Sequence, residues 1–219
     1  MNKKILLGIV VCALGLSVIG CGKKADTKTE DNKIEKEVDV NKENVKDVQE
    51  DQVESGLSYK DFSNIEFTFS SGAGGWATFL FINEDGTFEG SYHDSEMGAI
   101  EEDYPKGTLY LSNFKGKFGE LEKVDDYTYK TTLESIEYEN EVDTEEIKDG
   151  IHYIYTDAYG VAGGAEFYFY LKDSEIASLP GEFVDWVSID LTPEDTKLPF
   201  IGLYNVQEEL GFTGWENEV

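Results

Sequence analysis

The chain has 219 residues, with 46 Asp and Glu against 18 Lys and Arg, and a formal net charge of −28 at pH 7. Every one of its cations is a lysine. Without a guanidinium there is no bidentate clamp for phosphate or carboxylate, which counts against phosphoryl transfer and nucleotide binding. A field of this sign also repels nucleic acid, anionic lipid and cell-wall polyanions, and attracts cations and basic partners.

The chain opens with Lys3 and Lys4, an apolar run over 5–16, and then Ser17, Val18, Ile19, Gly20 and Cys21. This is the three-part layout of a secretory signal. It is shorter than the roughly 20 apolar residues that a spanning helix needs. The ending Val-Ile-Gly-Cys resembles the lipobox of bacterial lipoproteins. That resemblance implies a signal peptide over 1–20, cleavage before Cys21, a diacylglyceryl group on its thiol, and a cell-membrane address on the extracytoplasmic face. Each buried acyl CH₂ contributes about 0.8 kcal/mol, and two chains anchor stably where one is marginal. An ordinary cleaved secretion signal is the alternative. The other cysteine, Cys12, lies in the apolar run and leaves with the signal, so the mature chain is expected to be stable by packing without a disulfide.

Residues 21–56 begin with Cys21 and continue as Lys, Asp, Glu, Asn, Thr and Val without an aromatic residue. Such a segment buries too little apolar surface to offset its ordering entropy and reads as a solvated tether. A thin β-branched stripe of Ile34, Val38, Val45 and Val48 offers a helical alternative. Either way the segment is a spacer.

Residues 57–219 hold every aromatic side chain and are read as a single β domain. Ile65, Phe67 and Phe69 alternate with polar residues, which places them on one face of a strand. Residues 76–82 form a second strand. The sequence Asn83-Glu84-Asp85-Gly86 then makes a turn, and the alternation of Phe88, Gly90 and Tyr92 completes a hairpin. Further extended segments are predicted at 107–114, 117–123, 127–138, 151–156, 165–171 and 198–206. Over 173–187 the period changes, with Ile176, Leu179, Phe183, Trp186 and Val187 at helical steps. Ser174 is the expected cap, and Pro180 divides the region into one or two short helices. The sum is a mainly β fold, an antiparallel up-and-down barrel or strongly curled sheet with short C-terminal helices. A β-sandwich is the alternative.

Three stretches resemble a group of uncharacterised lipoproteins from Clostridia-type Gram-positive bacteria. They are Phe67-Thr-Phe-Ser-Ser-Gly-Ala-Gly-Gly-Trp76, Ile82-Asn-Glu-Asp-Gly-Thr-Phe88 and Tyr92-His-Asp-Ser-Glu-Met-Gly98. The runs from Tyr104 to Thr108, Val124 to Tyr129 and Leu179 to Phe183 are similar to the same group. The resemblance implies the surface address and the taxon, and supplies no catalytic residue. The Gly75-Trp76 pair beside a strand is more loosely similar to lipocalin-like barrels.

The chemistry-bearing motifs are sparse. There is no Gly-x-Ser-x-Gly elbow and no His-Glu-x-x-His pattern. A metal site would need His93 and Asp94 to converge with His152 or Asp157, yet neighbouring strand residues face opposite ways, so no metal or cofactor is expected. Residues 83–86 fail the EF-hand pattern and read as a plain turn. Two glycine-rich loops, 70–75 and 160–165, would frame a ligand mouth with Trp76, Tyr155 and Tyr159 if they shared one rim. The expected function is therefore non-catalytic binding of a small-molecule or protein ligand, with Trp76, His93, Asp94, Tyr155 and Tyr159 as candidate contacts. The alternatives are an extracellular hydrolase using acidic residues near His93, and a structural envelope protein with a filled core.

Overall fold

The computed structural model describes residues 56–217. The signal peptide, Cys21 and the tether expected from the sequence lie outside the described residues. Within them run eleven strands: β1 (Ile65–Ser70), β2 (Trp76–Ile82), β3 (Thr87–Glu96), β4 (Thr108–Phe118), β5 (Glu122–Lys123), β6 (Thr128–Tyr138), β7 (Thr144–Lys148), β8 (Ile151–Tyr155), β9 (Glu166–Tyr170), β10 (Ile201–Asn205) and β11 (Leu210–Glu216). One α-helix, α1 (Gly181–Val187), and three 3₁₀ turns accompany them. No helix among the described residues is long and apolar enough to cross a membrane.

Eight strands, β1-β2-β3-β4-β6-β9-β10-β11, pair antiparallel in chain order, and β11 returns to β1. The sheet therefore closes on itself as an up-and-down barrel, one of the two expected architectures, and the sandwich alternative falls. Closure removes the open edges that a curled sheet would leave. The long strand β4 has two neighbours on one side: its 114–118 half pairs with β6, and its 108–111 half pairs in parallel with β8. The β7–β8 hairpin thus carries the sheet out past the barrel.

Alternating strand directions sort the connections to two ends. The β1–β2, β3–β4, β6–β9 and β10–β11 connections lie at one end, here called the rim. The 57–64 segment, the β2–β3 turn and the end of β11 lie at the other, the base. At the β2–β3 turn Gly86 takes φ +80°, and Asp85 accepts bonds from the Thr87 amide (3.0 Å) and hydroxyl (2.6 Å), as a plain hairpin turn requires.

The barrel interior is filled. Phe67, Phe69, Leu80, Phe88, Phe118 and Phe167 point inward and are buried. The base is plugged by the 3₁₀ turn Tyr59–Phe62, where Phe62 stacks on Phe169 with centroids 4.4 Å apart. The Tyr59 hydroxyl lies 2.8 Å from both the Gly119 carbonyl and the Thr131 hydroxyl, and burial pushes its pKa up to about 12. A second apolar cluster lies outside the barrel, where Phe183 and Val187 of α1 pack against Tyr170 and Tyr204.

Three expectations need correction. The separate segments at 107–114 and 117–123 are one strand, β4, followed by the short β5. Gly116, inside that strand, faces Phe88, where an added Cβ would lie 2.4 Å from the ring. Ser174 does not cap a helix, because its hydroxyl donates to the Leu171 carbonyl (2.6 Å) and α1 starts only after Pro180. Strands β7 and β11 were not predicted. The helix-forming pattern over 173–187 resolves into the 3₁₀ turn Ile176–Ser178 and then α1, divided by Pro180 as the sequence implies.

Candidate functional site

Two loops build the rim. The 71–75 connection leaves β1 beside Phe69, and the 156–165 connection returns from β8 to β9, so both glycine-rich loops stand at the same end. The second loop is tied down by polar side chains from the barrel. Thr78 donates to the Tyr159 carbonyl (2.7 Å), and the fully buried Asn205 donates to the Gly160 carbonyl (3.0 Å). Gly160 takes φ +91°, and a Cβ there would meet Phe69 at 2.7 Å. A side chain at that position would push the loop off the barrel.

These restraints gather aromatic rings at the rim. Tyr159, 40% exposed, lies 5.4 Å from Trp76, 5.2 Å from Phe69 and 5.7 Å from Tyr92 between centroids, mostly edge to face. Trp186 from α1 contacts Phe69 at 4.8 Å from the far side. Such pairs add about 0.5–1.5 kcal/mol each beyond their burial, so the rim is a stiff apolar platform. Asp94 is the cross-strand partner of Trp76 and shares its face. Burial pushes Tyr92 up to about 12, helped by the negative charges of Asp94 and Asp157 and by Tyr159. The carboxylates thus border the rings.

Below Tyr92 and directly across from it in the β3–β4 register is Ser112, 3% exposed. Its hydroxyl is the only buried side-chain polar atom without a hydrogen-bond partner among the described residues. Leaving such a group unpaired costs about 1–3 kcal/mol.

Of the five candidate contacts, the structure brings Trp76, Asp94 and Tyr159 together and separates the other two. His93 points from the outer face, stacked on Phe79 at 6.1 Å. Tyr155 lies on that same outer face and donates to Glu146 (2.6 Å). His93 and Asp94 therefore do not converge, and His152 bonds Glu145 at 3.0 Å beside Tyr104. Among the described residues no group of three or more His, Cys, Asp or Glu side chains is placed to hold a metal ion. Tyr92 and Asp157 complete the rim. Strand parity carried a signal for Tyr92, two residues from Asp94, but Asp157 arrives from another element and had none as a rim contact.

A concavity of about 620 Å³ lies on the outer face between β3, β4 and the end of β6. Phe81, Glu89, Ser91, Asn113 and Glu139 are among its lining residues. Lys115 there pairs with Glu137 at 3.2 Å, and Asn113 donates to Glu139 at 2.8 Å.

No protein-family model, curated protein or solved structure matches this chain. The functional reading rests on its own residues.

Proposed function

We propose that the protein is a membrane-anchored, extracytoplasmic lipoprotein whose β-barrel is a non-catalytic binding domain, with its ligand seated on the rim. The anchor is the lipid on Cys21 that the Val-Ile-Gly-Cys ending implies. The observation that carries the reading is the Trp76, Tyr92 and Tyr159 platform bordered by Asp94 and Asp157. The interior is occupied by phenylalanines, so the ligand sits on the barrel and not inside it. Flat aromatic faces take an apolar ring face, and carboxylates accept hydrogen bonds from hydroxyl or ammonium groups. That combination suits a sugar-like ligand. A hydrolase using His93 with Asp94 is not favoured, since the two leave β3 on opposite faces.

Thermal unfolding of the mature chain with Cys21 replaced by Ser, against neutral and amino-sugar oligosaccharides, fatty acids and short peptides, tests this reading. A ligand at 100 times its dissociation constant stabilises the fold by about 2.7 kcal/mol. A shift with one class, lost in Trp76→Ala, supports the rim site. No shift with any class leaves a closed structural barrel as the better account.

A further inference from the structure

The outer face of the barrel is covered on one side and bare on the other. Over β9, β10 and β11 lies α1, and the second apolar cluster fills the space between. Over β2, β3, β4 and β8 no described helix or strand packs, although the outward side chains there are apolar too. A row crosses these strands: Phe79 stacks on its diagonal neighbour His93, His93 faces Leu111, and Leu111 faces Tyr155. Phe81 and Leu109 flank the row. All six are half-buried, and none joins either core cluster. The outer cleft with Phe81 in its lining opens beside them.

The border of this face is acidic. Glu89, Glu137 and Glu139 line the cleft, and Glu146 holds the Tyr155 hydroxyl. Lys115 is the one cation in the cleft lining, and it is already paired with Glu137 at 3.2 Å, which leaves Glu89, Glu139 and Glu146 as the uncompensated charges beside the row. A second copy of the chain would bring the same negative field against it, and an anionic membrane surface would be repelled. The apolar row needs a partner with apolar groups of its own, and the border needs positive charge.

We infer that this bare face docks a cationic, amphipathic polypeptide segment, its apolar side chains along the Phe79, His93, Leu111 and Tyr155 row and its lysines or arginines against the surrounding carboxylates. Three strand spacings of about 4.8 Å give the row a length of about 14 Å. Roughly ten residues of helix, at 1.5 Å each, span it. Helix-in-groove docking of this kind places anchors at i, i+3, i+4 and i+7. The surface is separate from the rim, and the inference stands whether or not a sugar binds there.

The test uses the mature chain with Cys21 replaced by Ser and two fluorescent probes of equal positive charge, a helical leucine–lysine 14-mer and an oligolysine. The leucine–lysine peptide is expected to bind at least tenfold more tightly than oligolysine, and to weaken as salt rises. Leu111→Asn and Glu139→Gln should each weaken it severalfold with melting temperature unchanged, while Trp76→Ala leaves it as it was. A benzophenone on the peptide should cross-link to 79–81, 89–93, 109–115 or 153–155. Equal binding of the two probes, no binding of either, or cross-links confined to the rim would overturn the inference. So would a dimer in sedimentation that Leu111→Asn dissolves, since the face would then belong to a second copy.

Discussion

Replacing Gly202 by Ala tests how α1 is seated on the barrel. Gly202 lies in β10, facing outward under the helix, and a Cβ built there falls 2.3 Å from Phe183 Cζ and 2.9 Å from Cε2. The ring has no room to retreat: Phe183 is fully buried, with Tyr170 at 4.9 Å and Tyr204 at 5.9 Å between centroids. The helix must therefore lift or Phe183 must leave its rotamer. Overpacking of this kind costs about 1–3 kcal/mol. For a domain of this size each kcal/mol lowers the melting temperature by about 2–4 °C, so a fall of about 2–12 °C is expected. Gly75→Ala is the control, since nothing lies within 4 Å of a Cβ there and its φ is not left-handed, and it should stay within about 0.5 kcal/mol. Thermal unfolding followed by circular dichroism reads both. If Gly202→Ala melts with Gly75→Ala, the close seating of α1 is wrong.

Three further outcomes follow from the same reasoning. The neutral phenols of Tyr59 and Tyr92 are held by the fold, with pKa values raised to about 12 against about 10 when unfolded. Their contribution is complete below about pH 10 and is lost as pH rises through about 12, so tyrosinate absorbance should show late-titrating tyrosines and Tyr92→Phe should remove one. Ser112→Ala removes a buried hydroxyl with no partner and should leave stability unchanged or higher in urea unfolding, whereas a loss would mean that the hydroxyl is paired after all. Fatty-acid labelling should mark the full-length chain and not its Cys21→Ser variant, and labelling that survives the substitution would refute lipid attachment to that thiol.

The parts of the fold that local alternation dictates were legible from the sequence. Ile65, Phe67 and Phe69 gave β1, and Asn83-Glu84-Asp85-Gly86 gave the β2–β3 turn, because these depend on neighbours along the chain. What failed depends on partners far away. The segments 107–114 and 117–123 are joined through Gly116, whose missing side chain makes room for Phe88 across the ladder. In β11 the glycines at 211 and 214 diluted the apolar pattern, and their reason lies elsewhere: Gly211 admits Phe183 and Trp186 of α1, and Gly214 admits Phe67.

The candidate site split for one physical reason. His93 and Asp94 are adjacent in sequence and lie on opposite faces of β3, so only one of them could reach the rim with Trp76. Parity alone pairs Tyr92 with Asp94, but only the register Trp76↔Asp94 decides which face meets the rim loops. Residues 76–82 are a nearly continuous apolar run, the pattern of a strand buried on both faces, so the run by itself does not mark an exposed side. In the barrel Leu80 and Ile82 face the core, and Phe79 and Phe81 do not.

Binding at the rim is tested most directly by tryptophan emission of the mature chain titrated with neutral and amino-sugar oligosaccharides. The account predicts a saturable shift with at least one glycan, abolished in Trp76→Ala and weakened at least tenfold in Tyr159→Ala, with both variants still folded. An unchanged spectrum across the glycans, or a shift that survives both substitutions, would contradict it.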